Sequence, residues 1–80
     1  MKARITVTLK SGVLDPQGKA IQHTFEDLGI EGVEKVRQGK IFDIEIAETD
    51  KTKAKAQLIQ MSEKLLANMV MENYTVEILD

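Results

Sequence analysis

Side chains that could carry out acid–base or nucleophilic chemistry are few in this sequence and lie far apart along it. His23 is the only histidine and cysteine is absent, so imidazole and thiolate ligands cannot assemble a transition-metal site. Ser11 and Ser62 have no base near them in sequence, and the chain contains neither a nucleophile elbow nor a phosphate-binding glycine loop. We therefore predict no catalytic residue, no metal site and no cofactor bound by this chain.

Asp43 and Glu45 are the one carboxylate pair whose spacing suits joint chemistry. Residues two apart share one face of a strand, as paired catalytic carboxylates would. The same spacing also suits solvated partners of Lys2 and Arg4, and this second interpretation is the stronger one.

The first part of the sequence predicts a strand followed by a helix. Residues Lys2–Lys10 alternate between polar and apolar side chains, which is typical of a strand with one buried face. Asp15 and Pro16 then form a helix N-cap and first helical position, and Gly29 suits a left-handed C-cap.

A hairpin is predicted next. Val33–Gln38 is its first strand, although Val33 and Val36 would point to opposite faces of the sheet. Gln38-Gly39 is a plausible tight turn. Alternation over Ile41–Ile46 then marks the second strand, with Phe42, Ile44 and Ile46 facing inward.

A long helix and a last strand complete the chain. Thr49 or Asp50 caps the helix, which runs to about Met69, and the strand alternates through Tyr74, Val76 and Ile78. The main apolar stripe of the helix consists of Ala54, Leu58, Met61, Leu65 and Met69. A second stripe lies about 100° around the helix and consists of Ile59, Leu66 and Val70. It either packs against the first helix or meets a partner, and these three residues are our candidate partner interface.

This order predicts one domain over residues 1–80 of the α+β class. The expected fold is a ferredoxin-like βαββαβ sandwich, with an antiparallel sheet of order 4-1-3-2 and two helices on one face. In that order Lys2 and Arg4 face Asp43 and Glu45 on one side and Glu77 on the other, and such opposite charges on neighbouring strands stabilise a sheet.

Composition narrows the range of partners. The net charge of −2 gives no electrostatic basis for binding nucleic acid or an anionic membrane surface. No segment has the apolar core of a signal peptide or the length of a membrane span, so we expect a cytoplasmic protein.

A domain this short buries only about 60% of its unfolded surface. We therefore expect either very regular packing or self-association, as a dimer or a tetramer, to supply the missing stability.

Three segments in register give the sequence a family likeness. They are Val13-Leu14-Asp15-Pro16-Gln17-Gly18, Val36-Arg37-Gln38-Gly39-Lys40, and Glu63-Lys64-Leu65-Leu66-Ala67-Asn68 continuing through Val70, Glu72 and Tyr74. In this order and at this length, the sequence resembles PurS, the small subunit of phosphoribosylformylglycinamidine (FGAM) synthase.

The resemblance implies a role that the residues alone do not. The enzyme converts formylglycinamide ribonucleotide (FGAR), glutamine and ATP to FGAM in de novo purine synthesis. The resemblance implies that this chain is a non-catalytic subunit that bridges a glutaminase subunit and a synthetase large subunit and supports ammonia transfer. ATP and Mg would then be used by the large subunit.

Two alternatives share the predicted topology. A regulatory domain of the ACT type would bind an amino acid near a glycine-bearing loop after the first strand, where Gly12 lies. A small enzyme of the acylphosphatase type would need a convergent arginine and asparagine pair, which the sequence does not show.

Overall fold

The computed structural model describes all 80 residues. The elements follow the order strand, helix, strand, helix, strand. Their bounds are β1 Lys2–Leu9, α1 Pro16–Asp27, β2 Gly39–Glu45, α2 Lys51–Met61, a one-turn π-helical segment Ser62–Leu66, and β3 Glu72–Ile78. The capping predictions are confirmed: Asp15 caps α1 with Pro16 in its first turn, Asp50 caps α2, and Gly29 adopts a positive φ of 80° after α1.

The sheet has three antiparallel strands in the order β2-β1-β3. Arg4 pairs with Asp43 on one side and with Glu77 on the other, and Lys2 pairs with Glu45. The Nε of Arg4 donates to Oδ1 of Asp43 at 2.8 Å. The predicted charge complementarity of the open face is therefore confirmed, since β1 does lie between these two neighbours.

The core lies between the sheet and α2. Ala3, Ile5 and Val7 of β1 are buried against Leu58 of α2 and Ala67. Half-buried apolar side chains surround this core: Phe42, Ile44, Ile46, Met61, Leu66, Tyr74, Val76 and Ile78. The side chains predicted to face inward do so in β1, β2 and β3.

The second helix does not continue as an α-helix to Met69. Its regular part ends at Met61, where Ser62 takes a fully buried position and donates its hydroxyl to the Leu58 carbonyl oxygen at 2.8 Å. The π turn that follows adds a residue to the turn, and it leaves Leu65 81% exposed. The prediction that Leu65 and Met69 belong to the buried stripe was therefore wrong.

No strand forms over residues 33–38, contrary to the predicted hairpin. Gly39 pairs with Thr8 as the first residue of β2 instead of forming a turn. The segment before it is held against the start of α1, so it cannot hydrogen-bond to the outer edge of β2.

Residues 10–38, which we call the arm, leave the sheet between β1 and β2. Within the arm, α1 makes at most marginal contact with any strand or with α2. The two predicted helices therefore do not form one layer within a single chain. The molecule is elongated, with extents of 50 × 26 × 15 Å.

Candidate functional site: the base of the arm

Asp15 organises the base of the arm. Its Oδ1 accepts the backbone N–H of Gly18 at 2.8 Å, and this bond caps α1. Its Oδ2 accepts the backbone N–H of Gln38 at 2.9 Å. Asp15 is only 6% exposed, and both of its carboxylate oxygens are satisfied by backbone donors. One side chain thus joins the outgoing helix to the returning segment.

Gly18 allows the two parts of the arm to approach closely. A Cβ atom at this position would lie 2.1 Å from the backbone oxygen of Val36, which is inside any permitted contact. The return segment therefore passes directly over the first turn of α1 because residue 18 has no side chain.

Two further hydrogen bonds hold the returning segment of the arm in place. The Gln22 amide donates to the Glu34 carbonyl oxygen at 3.2 Å, and the Arg37 guanidinium donates to the Lys10 carbonyl oxygen at 3.1 Å. Residue 38 thus lies beside residue 15, and residue 34 lies beside residue 22. It follows that α1 runs outward from the sheet and the segment after Ile30 runs back.

An open cleft of about 430 Å³ lies between α1 and the return segment. Lys19, Lys35 and Arg37 line it together with Asp15 and Glu34. The backbone bonds from Gln38 and Gly18, in that order of importance, hold the pKa of Asp15 below its ordinary value, and burial opposes them. Asp15 is therefore a structural anion at neutral pH.

The residues predicted as a partner interface do not form one helical stripe. Ile59 lies on α2 and Leu66 ends the π turn, and both are half-buried. Val70 lies beyond the helix in the turn before β3 and is 83% exposed. The sequence pattern missed this break because Ser62 carries no signal of a π turn.

The other chemistry-bearing residues lie apart from one another. His23 is exposed on α1, and its Nδ1 lies 3.7 Å from a carboxylate oxygen of Glu26. Ser62 is buried against its own helix, whereas Ser11 is exposed in the loop after β1. Asp43 pairs with Arg4, as the stronger interpretation of the carboxylate pair predicted.

One tyrosine has a specific polar contact. The Tyr74 hydroxyl donates to a Glu63 carboxylate oxygen at 2.8 Å, which joins β3 to the π turn. This hydrogen bond is the main reason that the pKa of Tyr74 is raised.

No group of three or more His, Cys, Asp or Glu side chains is arranged to hold a metal ion. No helix has both the length and the apolar character needed to cross a membrane. The fold and its arm define a small α+β protein in which helix α1 packs against neither the sheet nor α2.

Comparison with known proteins identifies the family. The family model PurS, described as phosphoribosylformylglycinamidine (FGAM) synthase, matches residues 2–80. The PurS subunit of FGAM synthase from Synechocystis sp. is 47% identical over 94% of this chain and 75% of its own length. The PurS subunit from Bacillus subtilis is 40% identical over 96% of this chain and 90% of its own length.

Solved structures agree with the sequence comparison. Bacillus subtilis PurS in its C2 crystal form superposes with a TM-score of 0.89 at 39% identity, covering 99% of this chain and 98% of that one. A chain from the structure of PurLQS from Thermotoga maritima gives 0.88 at 35% identity, covering 98% and 95%. The chain belongs to the PurS family of FGAM synthase subunits.

Proposed function

We propose that this chain is the non-catalytic small subunit that bridges the glutaminase and synthetase subunits of FGAM synthase and supports ammonia transfer between them. The observation that carries the proposal is the match of the PurS family model to residues 2–80. The proposed reaction of the assembled enzyme is the conversion of FGAR, glutamine and ATP to FGAM in purine biosynthesis. The chain itself supplies binding surface and no catalytic group.

Similarity to a multisubunit assembly supports the bridging role. The chain matches a component of PurLQS from Thermotoga maritima over nearly its whole length. The related protein from Methanocaldococcus jannaschii is described as one of the subunits of formylglycinamide ribonucleotide amidotransferase, and it superposes with a TM-score of 0.83 at 40% identity. A subunit that acts by contact needs exposed apolar surface, and this chain has nine large apolar side chains in exposed positions.

Cofactor use and cellular location belong to the same proposal. This chain binds no cofactor in the proposed scheme, and the large subunit uses ATP and Mg. The proposed site of action is the cytoplasm, where the glutaminase and synthetase subunits would meet it. Ile59, Leu66 and Val70 remain the predicted partner interface, supported by the 83% exposure of Val70.

The self-association expected from the sequence is part of this proposal as well. The ferredoxin-like arrangement with two helices on one face would then be completed between copies, because α1 does not cover its own sheet. Likewise, the fourth-strand position beside β2 is open in a single chain, and we propose that it is filled only in the assembled subunit.

A glutamine-dependent synthesis assay tests the bridging role. The glutaminase and synthetase subunits are assayed for FGAM formation with and without this chain, using either glutamine or ammonium chloride as the nitrogen source. We expect glutamine-dependent synthesis to require this chain, while ammonium-dependent synthesis by the large subunit proceeds without it. Equal glutamine-dependent activity in its absence would overturn the proposal.

Calorimetry against a panel of amino acids separates this role from the ACT-like alternative. In that alternative an amino acid binds near Gly12, which has a φ of 88° and lines the cleft of the arm. Because the chain belongs to the PurS family, we expect none of the amino acids to bind. A saturable heat with one amino acid would restore the regulatory alternative.

A further inference from the structure

The open cleft between α1 and the return segment, which we call the arm cleft, carries unpaired positive charge. Lys19, Lys35 and Arg37 line it, and none of the three forms an ion pair within the chain. Both carboxylate oxygens of Asp15 are engaged by backbone donors, which leaves Glu34 as the only free carboxylate among the lining residues. The protein as a whole has a net charge of −2, so this concentration of cations is a local feature of the arm.

The arm cleft also has backbone N–H groups without an acceptor. Gly12 and Leu14 line it, and neither N–H finds a hydrogen-bond acceptor within the chain. The same holds for the backbone N–H groups of residues 34–37. Arg37 donates one hydrogen bond to the Lys10 carbonyl oxygen, which anchors the guanidinium and leaves its other N–H donors free. Charged and neutral donors therefore line the same cleft.

The arm cleft lies on a different face of α1 from its apolar side chains. Lys19 and Gln22 line the cleft, whereas Ile21, Phe25 and Leu28 form the apolar face. At 100° per residue, the centres of these two faces lie about 120° apart around the helix. A second copy that covered the apolar face would therefore leave the arm cleft open to solvent.

The size and chemistry of the arm cleft suit a small phosphate monoester. Its volume of about 430 Å³ falls within the roughly 300–1,000 Å³ of small-molecule sites. A phosphate monoester carries three acceptor oxygens and a charge of about −1.5 to −2 at neutral pH, whereas a carboxylate carries one charge on two oxygens. Three cations with free backbone N–H groups match the phosphate better. Val13 and Leu14 give the cleft an apolar edge for the rest of the molecule.

We propose that the arm cleft binds the phosphate group of a small phosphate monoester, such as a sugar phosphate, through Lys19, Lys35 and Arg37. The ligand joins α1 to the return segment, because Lys19 belongs to the helix and the other two belong to that segment. The sequence contains no phosphate-binding glycine loop, so the site exists only where the two segments meet. The inference goes beyond the proposed bridging function and does not rest on it.

An NMR titration of the full chain tests the site. Ribose 5-phosphate, inorganic phosphate, sodium acetate and ribose are each added to ¹⁵N-labelled protein at low ionic strength. We expect saturable shifts of the Gly12, Lys35 and Arg37 amides, with the lowest Kd for ribose 5-phosphate, weaker binding of acetate and no shifts with ribose. Added NaCl should raise the Kd, because exposed charges are screened by salt. Equal Kd values for the two phosphates would overturn the ester as ligand, and equal values for phosphate and acetate would overturn phosphate recognition.

A pair of double variants shows which side chains bind. Lys19→Gln with Lys35→Gln removes two exposed cations of the arm cleft, and we expect the Kd for ribose 5-phosphate to rise about tenfold, the effect of two surface ion pairs. Lys51→Gln with Lys55→Gln removes two exposed cations of α2 and is the matched control, with an unchanged Kd. Circular dichroism shows that both variants are folded.

Two results would overturn the site itself. One is the absence of a saturable shift at ribose 5-phosphate concentrations up to about 20 mM. The other is an equal rise in Kd for the two double variants, since binding would then follow the net charge of the protein and not the arm cleft. Because no other subunit is present, none of these outcomes bears on the FGAM synthase role.

Discussion

The carboxylate of Asp15 accepts the backbone N–H of Gln38 at 2.9 Å, although 23 residues of chain separate the two. The same carboxylate caps α1 through Gly18. The bond therefore closes the arm at its base and sets the direction in which α1 leaves the sheet. Removing it should alter the position of the arm without altering the sheet.

Asp15→Ala removes both acceptors and should loosen the base of the arm. We expect faster amide exchange at Gly18 and Gln38, with exchange in β1 and β3 unchanged, because the core contains no residue of the arm. Hydrogen exchange measured by NMR checks this. Glu31→Ala, at an exposed arm position, is the control. Unchanged exchange at Gln38 in the Asp15 variant would show that other bonds hold the arm.

Acid should release the same contact. Asp15 has a pKa below its ordinary value of 3.8 because of the bonds from Gln38 and Gly18. A depressed pKa contributes stability that is present above the ordinary value and is lost as the pH falls through the folded value. The difference in melting temperature between the wild type and Asp15→Asn should therefore be constant from pH 7 to 5 and shrink below about pH 4. A difference that stays constant down to pH 2 would contradict this assignment.

Gly18→Ala should displace the return segment, because its Cβ would meet the backbone oxygen of Val36. Backbone atoms cannot move aside as a flexible side chain does, so we expect a loss of stability of about 1–3 kcal/mol, typical of overpacking. Urea denaturation measures it. The neighbouring Gln17→Ala, at an exposed helix position, should change stability by no more than about 0.5 kcal/mol. Equal effects of the two substitutions would mean that the close approach is unimportant.

Leu58→Ala and Leu65→Ala should differ sharply, although the sequence places both in one apolar stripe. Leu58 is fully buried against β1, and its truncation should cost about 2–5 kcal/mol. Leu65 is 81% exposed, so its truncation should change stability by about 0.5 kcal/mol or less. Chemical denaturation of both variants, at a chain concentration that holds the oligomeric state constant, checks the pair. A large loss at Leu65 would place it in a buried interface.

The strands, the two helix starts and the charge pairing of the open face follow from the sequence itself. Alternation along Lys2–Leu9 and β3 decides which side chains face inward, since the strand period is two. Asp15 with Pro16, and Asp50, mark helix starts through local hydrogen bonding that needs no distant partner. The absence of cysteine and the single histidine also limit the chemistry before any fold is known.

Contacts between distant residues decided the rest. Val33–Gln38 has the composition of a strand, but Asp15 binds Gln38 and Gly18 admits Val36, so the segment lies along α1 instead. Leu65 has helical spacing with Leu58, but the buried hydroxyl of Ser62 and the π turn rotate it outward. Periodicity reports which face of an element is apolar. Which surface covers that face depends on backbone donors and close approaches between residues far apart in the chain, and only the tertiary structure shows these.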